Sequence, residues 1–560
     1  MAKKEAIIDI LLAKKLVTAD QIDRAKEDMK KTGLPLDKTL SKLGYITEDK
    51  IAHAVAESMN VMVIELKNYL IDPDVLVNVS EDLARKHKVI PLFKVGDSLT
   101  LAMANPRDIM AIDEVRMKSK IPIIEPVLST ESDIRLAIDQ YYGSPGGLDE
   151  VIKTIDAAKL AAITPDGQGS KALTKAAEEA PVVRLVNLIL MQAIKEKASD
   201  IHIEPEENLV RVRFRIDGIL HEIATPPKEL QNIISSRIKI LSKLDIAESR
   251  KPQDGKINMK MENKVLDLRV STFPTIHGEN IVMRILDKTS VMVGVEQLGF
   301  NEKDFNGFNK LIRAAYGIIL VTGPTGSGKT TTLYSALSAI NSLEKNIITV
   351  EDPVEYEIPL IRQTQVNVKA GLTFAAGLRS ILRQDPDIVM VGEIRDKETA
   401  EIAVQASLTG HLVFSTLHTN DAPSSISRLI DMGVEPFLIS SSVLAILAQR
   451  LVRVLCPECK EAYTPTAAAL KELGIKEQVK FYKAKGCSHC KGSGYGGRTG
   501  IHELMVISDE IKKLIIAKAG ALDIRKVAIS EGMTTLRGDG LDKVIRGITT
   551  PEEVIRVTEE

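Results

Sequence analysis

The chain has 560 residues, with 74 Lys plus Arg nearly balanced by 76 Asp plus Glu and a mean hydropathy of +0.01. That length is enough for roughly three to four domains with cores of their own, and the balanced charge argues against a dedicated nucleic-acid binder or a protein held to lipid by charge alone. There is no apolar run of about 18 residues and no secretory leader at the N-terminus, so the expectation is a cytoplasmic protein able to dock on a membrane protein.

Residues 1 to about 60 carry a weak internal repeat offset by 29 residues, Leu11 to Ile22 against Leu40 to Ile51, matching Leu11/Leu40, Val17/Ile46, Thr18/Thr47 and Ile22/Ile51. In each copy a Thr followed three residues later by a polar residue reads as a helix N-cap, which predicts paired helices. From 60 to 140, short strands such as Val89 to Phe93 and Leu99 to Met103 alternate with helices, predicting a small α/β module without a catalytic constellation. Residues 1–142 are therefore read as a docking or regulatory domain. Gly, Pro, Ser, Ala and charges dominate 143–178, which reads as a linker carrying at most one short helix.

A helix from Val182 to Lys195 leads into a second α/β domain, 179–290, built on an antiparallel sheet. In Val210 to Ile216 the apolar residues share one face and Arg211, Arg213 and Arg215 the other, and Asp217-Gly218 supplies a hairpin turn. An arginine row is as often a solvated face as a phosphate-binding one. Arg237, Arg250 and Arg284 are further candidates on later elements.

The third segment, 291–450, holds the chemistry. Gly317 to Thr322 reads as a buried strand and Thr331 to Ile340 as a helix. Between them Gly323-Pro324-Thr325-Gly326-Ser327-Gly328-Lys329-Thr330-Thr331 fits the phosphate-loop pattern. The glycines let backbone N–H groups face phosphate, Lys329 reaches the β and γ phosphates, and Thr330 can hold Mg²⁺. Three more strands are predicted to end in chemically suited groups: Asn346 to Glu355 with Glu351, Asp352 and Glu355; Asp387 to Arg395 with Glu393; and His411 to His418, flanked by both histidines. Any one of these residues alone reads as a satisfied strand-end polar group, but four successive strands ending this way point to one site at the C-terminal edge of an open parallel sheet. Beyond it, Cys456, Cys459, Cys487 and Cys490 form two C-x-x-C pairs separated by 27 residues and use every cysteine of the chain. Such pairs suit a structural four-sulfur zinc site better than disulfides. The tetracysteine element is placed at 451–505 and a helical C-terminal region at 506–560.

The motif set closely resembles the secretion superfamily of hexameric ATPases, and within it type IV pilus assembly ATPases and their type II secretion relatives. The resemblance rests on the phosphate loop, the acidic box Ile348 to Tyr356, the Walker B segment Leu382 to Asp396 and the histidine box Gly410 to Asn420, and it covers about 180 to 505 strongly. It implies an α/β chain with a RecA-like P-loop core, preceded by a PAS-like domain and an N-terminal module. It further implies ATP, Mg²⁺ and Zn²⁺ as cofactors, and Glu393 as the carboxylate that polarises water, helped by Glu351, Asp352 and Glu355. His411 and His418 would couple the γ-phosphate to domain movement, and Arg213, Arg215 and Arg237 would be arginines that approach the nucleotide. The partners implied are a homohexamer, an inner-membrane platform protein of the pilus machine and a cytoplasmic ring protein reached through residues 1–142. Some relatives bind cyclic di-GMP through repeats like those at the N-terminus. Here Ala6 to Ile8 and Pro35 to Asp37 replace the ligand-contacting starts and Lys15 replaces a glycine, so that assignment stays open. The function implied is a motor for pilin polymerisation; the alternatives are a type II secretion ATPase driving a pseudopilus and, from another class, a nucleic-acid translocase.

Overall fold

The structure is a computed structural model. It describes residues 8, 10–33, 36–59, 61–142, 148–155, 177, 180–262, 264–287, 293–475 and 478–558. The chain divides into two compact units, Met1–Thr289 and Ser290–Glu560.

The first unit begins with the helices Ala19–Thr32, Leu36–Lys42 and Glu48–Met59. Repeat partners Leu11/Leu40, Val17/Ile46 and Ile22/Ile51 are all buried in one small core. Thr18 and Gln21 form a complete capping box, and in the second copy the Thr47 hydroxyl accepts from the Lys50 N–H at 3.4 Å. The turn before each cap needs a left-handed residue, Lys15 at φ 54° and Gly44 at φ 70°. The first copy has thus lost the glycine but kept the conformation that favours it. The starts of both copies, 6–7 and 35, lie outside the described residues.

Strands Val89–Val95, Ser98–Met103 and Ile123–Leu128 form a three-stranded sheet, the first pair antiparallel and the second parallel. A larger sheet follows, in spatial order Gln253–Met261, Lys264–Thr275, Gly278–Asp287, Asp200–Pro205, Val210–Ile216, Ile219–Ala224, antiparallel throughout. Val210, Val212 and Phe214 are buried as their alternation requires, and Asp217 and Gly218 take φ 48° and 87°, the positive pair that a two-residue hairpin turn demands.

One connection had no sequence signal. Tyr69–Leu70 adds a short parallel strand to this sheet at Lys260 and Met261. Lys195 clamps it by reaching Asp72 at 2.7 Å and Asp74 at 3.2 Å. Of the predicted linker, Leu148–Thr154 is a helix whose Leu148 and Val151 share a core with helix Ala180–Lys195; most of the remainder lies outside the described residues.

The second unit is built on a seven-stranded sheet in the order Arg362–Gln365, Ile347–Glu351, Ile388–Val391, Leu412–Leu417, Gly317–Thr322, Val443–Leu455, Tyr495–Val506. The first six run parallel and the last is antiparallel to its neighbour. Central strands such as Gly317–Thr322 are buried at every position, as continuous apolar runs in a sheet covered on both faces should be. The boundaries expected at 450 and 505 fall within or beside strands of this one sheet. The C-terminal helical region joins this sheet too: Ile511, Ile515, Ile524 and Leu536 pack in the same core as Val413 and Ile446.

Candidate nucleotide site and metal centre

The parallel strands all end on one edge of the sheet, and the phosphate loop leaves from the central one. Gly323, Gly326 and Gly328 have φ of 146°, 82° and 89°. A Cβ on Gly323 would stand 2.6 Å from the Gln449 carbonyl oxygen, so no other residue fits there. Helix Lys329–Ile340 starts directly at the loop and offers its first N–H groups to an anion. Lys329 folds back to donate to the carbonyls of Gly323 at 2.7 Å and Pro324 at 3.0 Å. Burial pulls its ammonium down to about 8; Glu393 pulls the other way and Arg450 with the burial. The buried Ser327 hydroxyl has no hydrogen-bond partner among the described residues. Positive φ, an under-partnered cation and an orphan hydroxyl together fit a phosphate chain. Pro324, Thr325, Gly326, Thr330 and Thr331 are exposed around this cradle, leaving the Thr330 hydroxyl accessible for Mg²⁺.

Sequence reading missed the residue that holds the loop. Gln449, 2% exposed, donates to the Ser327 carbonyl at 2.7 Å and accepts from the Thr332 hydroxyl at 2.8 Å, tying the two ends of the turn together. The available signal was an amide directly following the apolar run Val443 to Ala448.

Glu393 lies two residues past the strand Ile388–Val391 and pairs with Arg395 and, at 3.1 Å, with His418 Nε2. Burial alone would raise its pKa, but Arg395 and His418 outweigh it and hold the carboxylate below its ordinary value. Asp352, exposed, acts electrostatically on Arg395. The structure therefore brings Lys329, Glu393, His418, Arg395 and Asp352 into one electrostatic neighbourhood. Glu351 is buried and hydrogen-bonded to Tyr334, to Thr349 at 2.5 Å and to Gln363 at 3.1 Å, and burial pushes its pKa up. Glu355 is half-buried, and its N–H donates to the Tyr334 oxygen at 3.2 Å. Thr419, just after His418, bonds Thr322 at 2.7 Å and Ser425 at 2.6 Å, which fixes this turn against the strand that precedes the phosphate loop.

The expectation that both histidines serve the γ-phosphate is corrected for His411. It stands at the opposite end of Leu412–Leu417 from His418, with its carbonyl accepting from Gly317 N–H at 3.1 Å and its Nδ1 2.8 Å from the Ala406 carbonyl. At a rise of about 3.3 Å per residue, the strand holds the two backbone positions roughly 23 Å apart. The candidate arginines belong to the first unit. Arg213 pairs with Glu204 at 2.6 Å and Arg215 with Asp200 at 3.6 Å, so these two members of the row are matched by carboxylates of the adjacent strand. Arg237 is half-buried on helix Gln231–Ser242 and acts electrostatically on Tyr141.

Cys456, Cys459, Cys487 and Cys490 converge, with all four Sγ atoms within 4.8 Å of one another. The pairs Cys456/Cys487, Cys459/Cys490 and Cys487/Cys490 are 3.9, 3.7 and 3.7 Å apart. A tetrahedral zinc with bonds of about 2.3 Å requires about 3.8 Å between sulfurs. Burial raises the Cys490 pKa, but the N–H groups of Cys487 and Gly494, both at 3.1 Å, outweigh it and favour the thiolate. The donor set fits zinc, and four thiolates leave no open position for catalysis.

A family model described as type II/IV secretion system protein matches residues 175–556, and a model described as the MshEN domain matches 59–148. The chain is 46% identical over 554 residues to the type IV pilus assembly ATPase PilB of Myxococcus xanthus, covering 98% of each. It is 44% identical over 565 residues to the type II secretion system protein E of Xanthomonas campestris, covering 99% of this chain and 98% of that one. Among solved structures, the ATPase DotB of Yersinia pseudotuberculosis superimposes with a TM-score of 0.50 at 20% identity, over 67% of this chain and 93% of that one, a likeness of fold.

Removing the Arg395 guanidinium leaves burial to act on Glu393 with less opposition, so Arg395→Ala should raise the carboxyl pKa. The acid limb of the kcat profile should move to higher pH, and an unmoved limb would show that Glu393 does not control it. Metal analysis of the purified chain should find about one zinc per chain, lost together with thermal stability in Cys459→Ser/Cys487→Ser.

Proposed function

The chain belongs to the type II/IV secretion system protein family and is an ATPase, and from that premise we propose that it is the motor of type IV pilus assembly. The observation that carries the hydrolytic part is the cluster of Lys329, Glu393 and His418 at the C-terminal edge of the parallel sheet. In this reading the loop N–H groups and Lys329 bind the β and γ phosphates, and Glu393 orients the attacking water. His418, touching Glu393, reports whether the γ-phosphate is present. Thr330, with Asp352 and Glu355, would hold Mg²⁺, which when bound neutralises charge on the transferring phosphoryl group.

The motor acts as a homohexamer at the cytoplasmic face of the inner membrane, against a platform protein, with residues 1–142 docking to a ring protein or regulator. No helix among the described residues is long and apolar enough to cross a membrane, which suits a peripheral motor. Cyclic di-GMP stays an open ligand of the N-terminal module, and no nucleic-acid partner is assigned. The likeness to the Xanthomonas campestris protein over nearly the whole of both chains favours one second reading, a type II secretion ATPase driving a pseudopilus.

Lys329→Ala should abolish ATP turnover and weaken nucleotide binding, and unchanged turnover in purified protein would rule out the site. Glu393→Ala should still bind nucleotide while kcat falls by about two to three orders of magnitude. A deletion strain separates the two biological readings. Loss of surface fibres with normal enzyme secretion supports the pilus motor; retained fibres with lost secretion support the secretion ATPase.

A further inference from the structure

We infer that Tyr334, Glu351 and Gln363 act as one positioning group that fixes the acidic loop 352–358 relative to the phosphate-loop helix, and that Glu351 works through these hydrogen bonds and not as a ligand of metal or nucleotide. Tyr334 is fully buried on the helix that begins at Lys329. Its hydroxyl donates to Glu351 Oε2 and accepts from the Glu355 N–H at 3.2 Å, with the Gln363 amide nitrogen 3.3 Å away. The other carboxylate oxygen of Glu351 accepts from the Thr349 hydroxyl at 2.5 Å and from Gln363 at 3.1 Å. Both oxygens are thus engaged by the protein itself, in a residue only 3% exposed.

Gln363 closes the group from the edge strand Arg362–Gln365. Its amide nitrogen also donates to the Tyr356 carbonyl at 3.1 Å, and its oxygen accepts from the Ile358 N–H at 2.7 Å. The Tyr356 ring stands edge-on to Tyr334 with centroids 4.6 Å apart. Three backbone groups of the acidic loop, on Glu355, Tyr356 and Ile358, are therefore held by two side chains outside it. Asp352 and Glu355 ride on that loop, so their placement depends on the group. Burial pushes the Glu351 carboxyl up, while the hydrogen bonds it accepts from Thr349, Tyr334 and Gln363 act against that shift. The consequence for rate follows from geometry: a displacement of about 1 Å in a catalytic group can cost about 100-fold.

The inference rests on the reading that Asp352 and Glu355 serve the nucleotide site. Steady-state ATPase assays on the full chain test it with Tyr334→Phe, Glu351→Gln and Glu351→Ala, each checked first for binding of a fluorescent ATP analogue. Tyr334→Phe keeps the ring and loses only the hydroxyl, and it should lower kcat about tenfold while KM for ATP stays within about twofold. Glu351→Ala should lose about 100-fold, and Glu351→Gln, which keeps the shape and can still hydrogen-bond, should recover to within about threefold of the native chain. Glu351→Gln as inactive as Glu351→Ala, or Tyr334→Phe at native kcat, overturns the inference. If Glu351→Ala does not fold, Glu351→Gln against the native chain decides alone. Failure of the hydrolytic reading is distinct, since it appears as native turnover in Glu393→Ala whatever the Glu351 variants do.

Discussion

Register in the parallel sheet is the constraint on which the site depends. Thr322 pairs with Leu417 on one side and Ala448 on the other, so the next residues along each strand, Gly323, His418 and Gln449, reach the sheet edge together. A slip of one residue would turn each side chain to the opposite face. It would also remove the Gln449 amide from the loop carbonyl it holds. Val350 pairs with Val391 in the same way, which brings Glu351 and Gly392 to that edge one residue later. The tight fit at Gly323 follows from the same register, because the backbone that excludes a Cβ there belongs to Gln449. Loop shape and side-chain placement are one outcome of strand pairing.

The charges at this edge are arranged for a ligand that is itself an anion. Lys329 is partly desolvated, turned onto backbone carbonyls and electrostatically opposed by Arg450. Arg450 in turn is anchored to the Asn420 carbonyl at 3.0 Å. A phosphate chain would relieve the desolvation of Lys329 and replace its carbonyl contacts. Glu393 is the counterweight: with Arg395 and His418 around it, the carboxylate remains ionised beside a site that will gain further negative charge.

What the sequence made legible were features carried by contiguous residues. The apolar runs at Gly317–Thr322 and Leu412–Leu417, the alternation at Val210–Ile216 and the caps at Thr18 and Thr47 each depend on local chemistry, and each appears where it was read. Features made by residues remote in sequence were not legible. Gln449 meets Ser327 and Thr332 across more than a hundred positions, and Gln363 meets Tyr334 across 29, with a whole strand between them. Pairs like these leave no periodic trace. His411 shows the opposite error. Two histidines in one motif read as one functional unit, but the strand between them separates them by its own length. The strand at Tyr69–Leu70 is too short to carry any pattern, and the C-terminal helices read as a region of their own because their apolar stripes do not reveal which sheet they cover.

The cysteine cluster is tied to that same sheet. Cys456 follows the strand Val443–Leu455, and its N–H donates to the Gly494 carbonyl at 2.9 Å, next to the start of Tyr495–Val506. Beside it, the Arg453 guanidinium lies 3.9 Å from the centroid of the Tyr495 ring and bonds Glu553 at 2.7 Å. Burial would raise the Glu553 pKa, but Arg556 and Arg453 hold it down to about 2. Because the folded value is depressed, this contact stabilises the fold above the ordinary carboxylate range and loses its contribution as pH falls through that range toward about 2. A metal at the cysteines would close the end of the strand pair to which helix Pro551–Thr558 is fastened. Gln449 lies seven residues earlier on the same strand, roughly 23 Å away at strand rise. A metal held there would therefore bear on the phosphate loop through that one strand, as a clamp for the sheet edge apart from the chemistry.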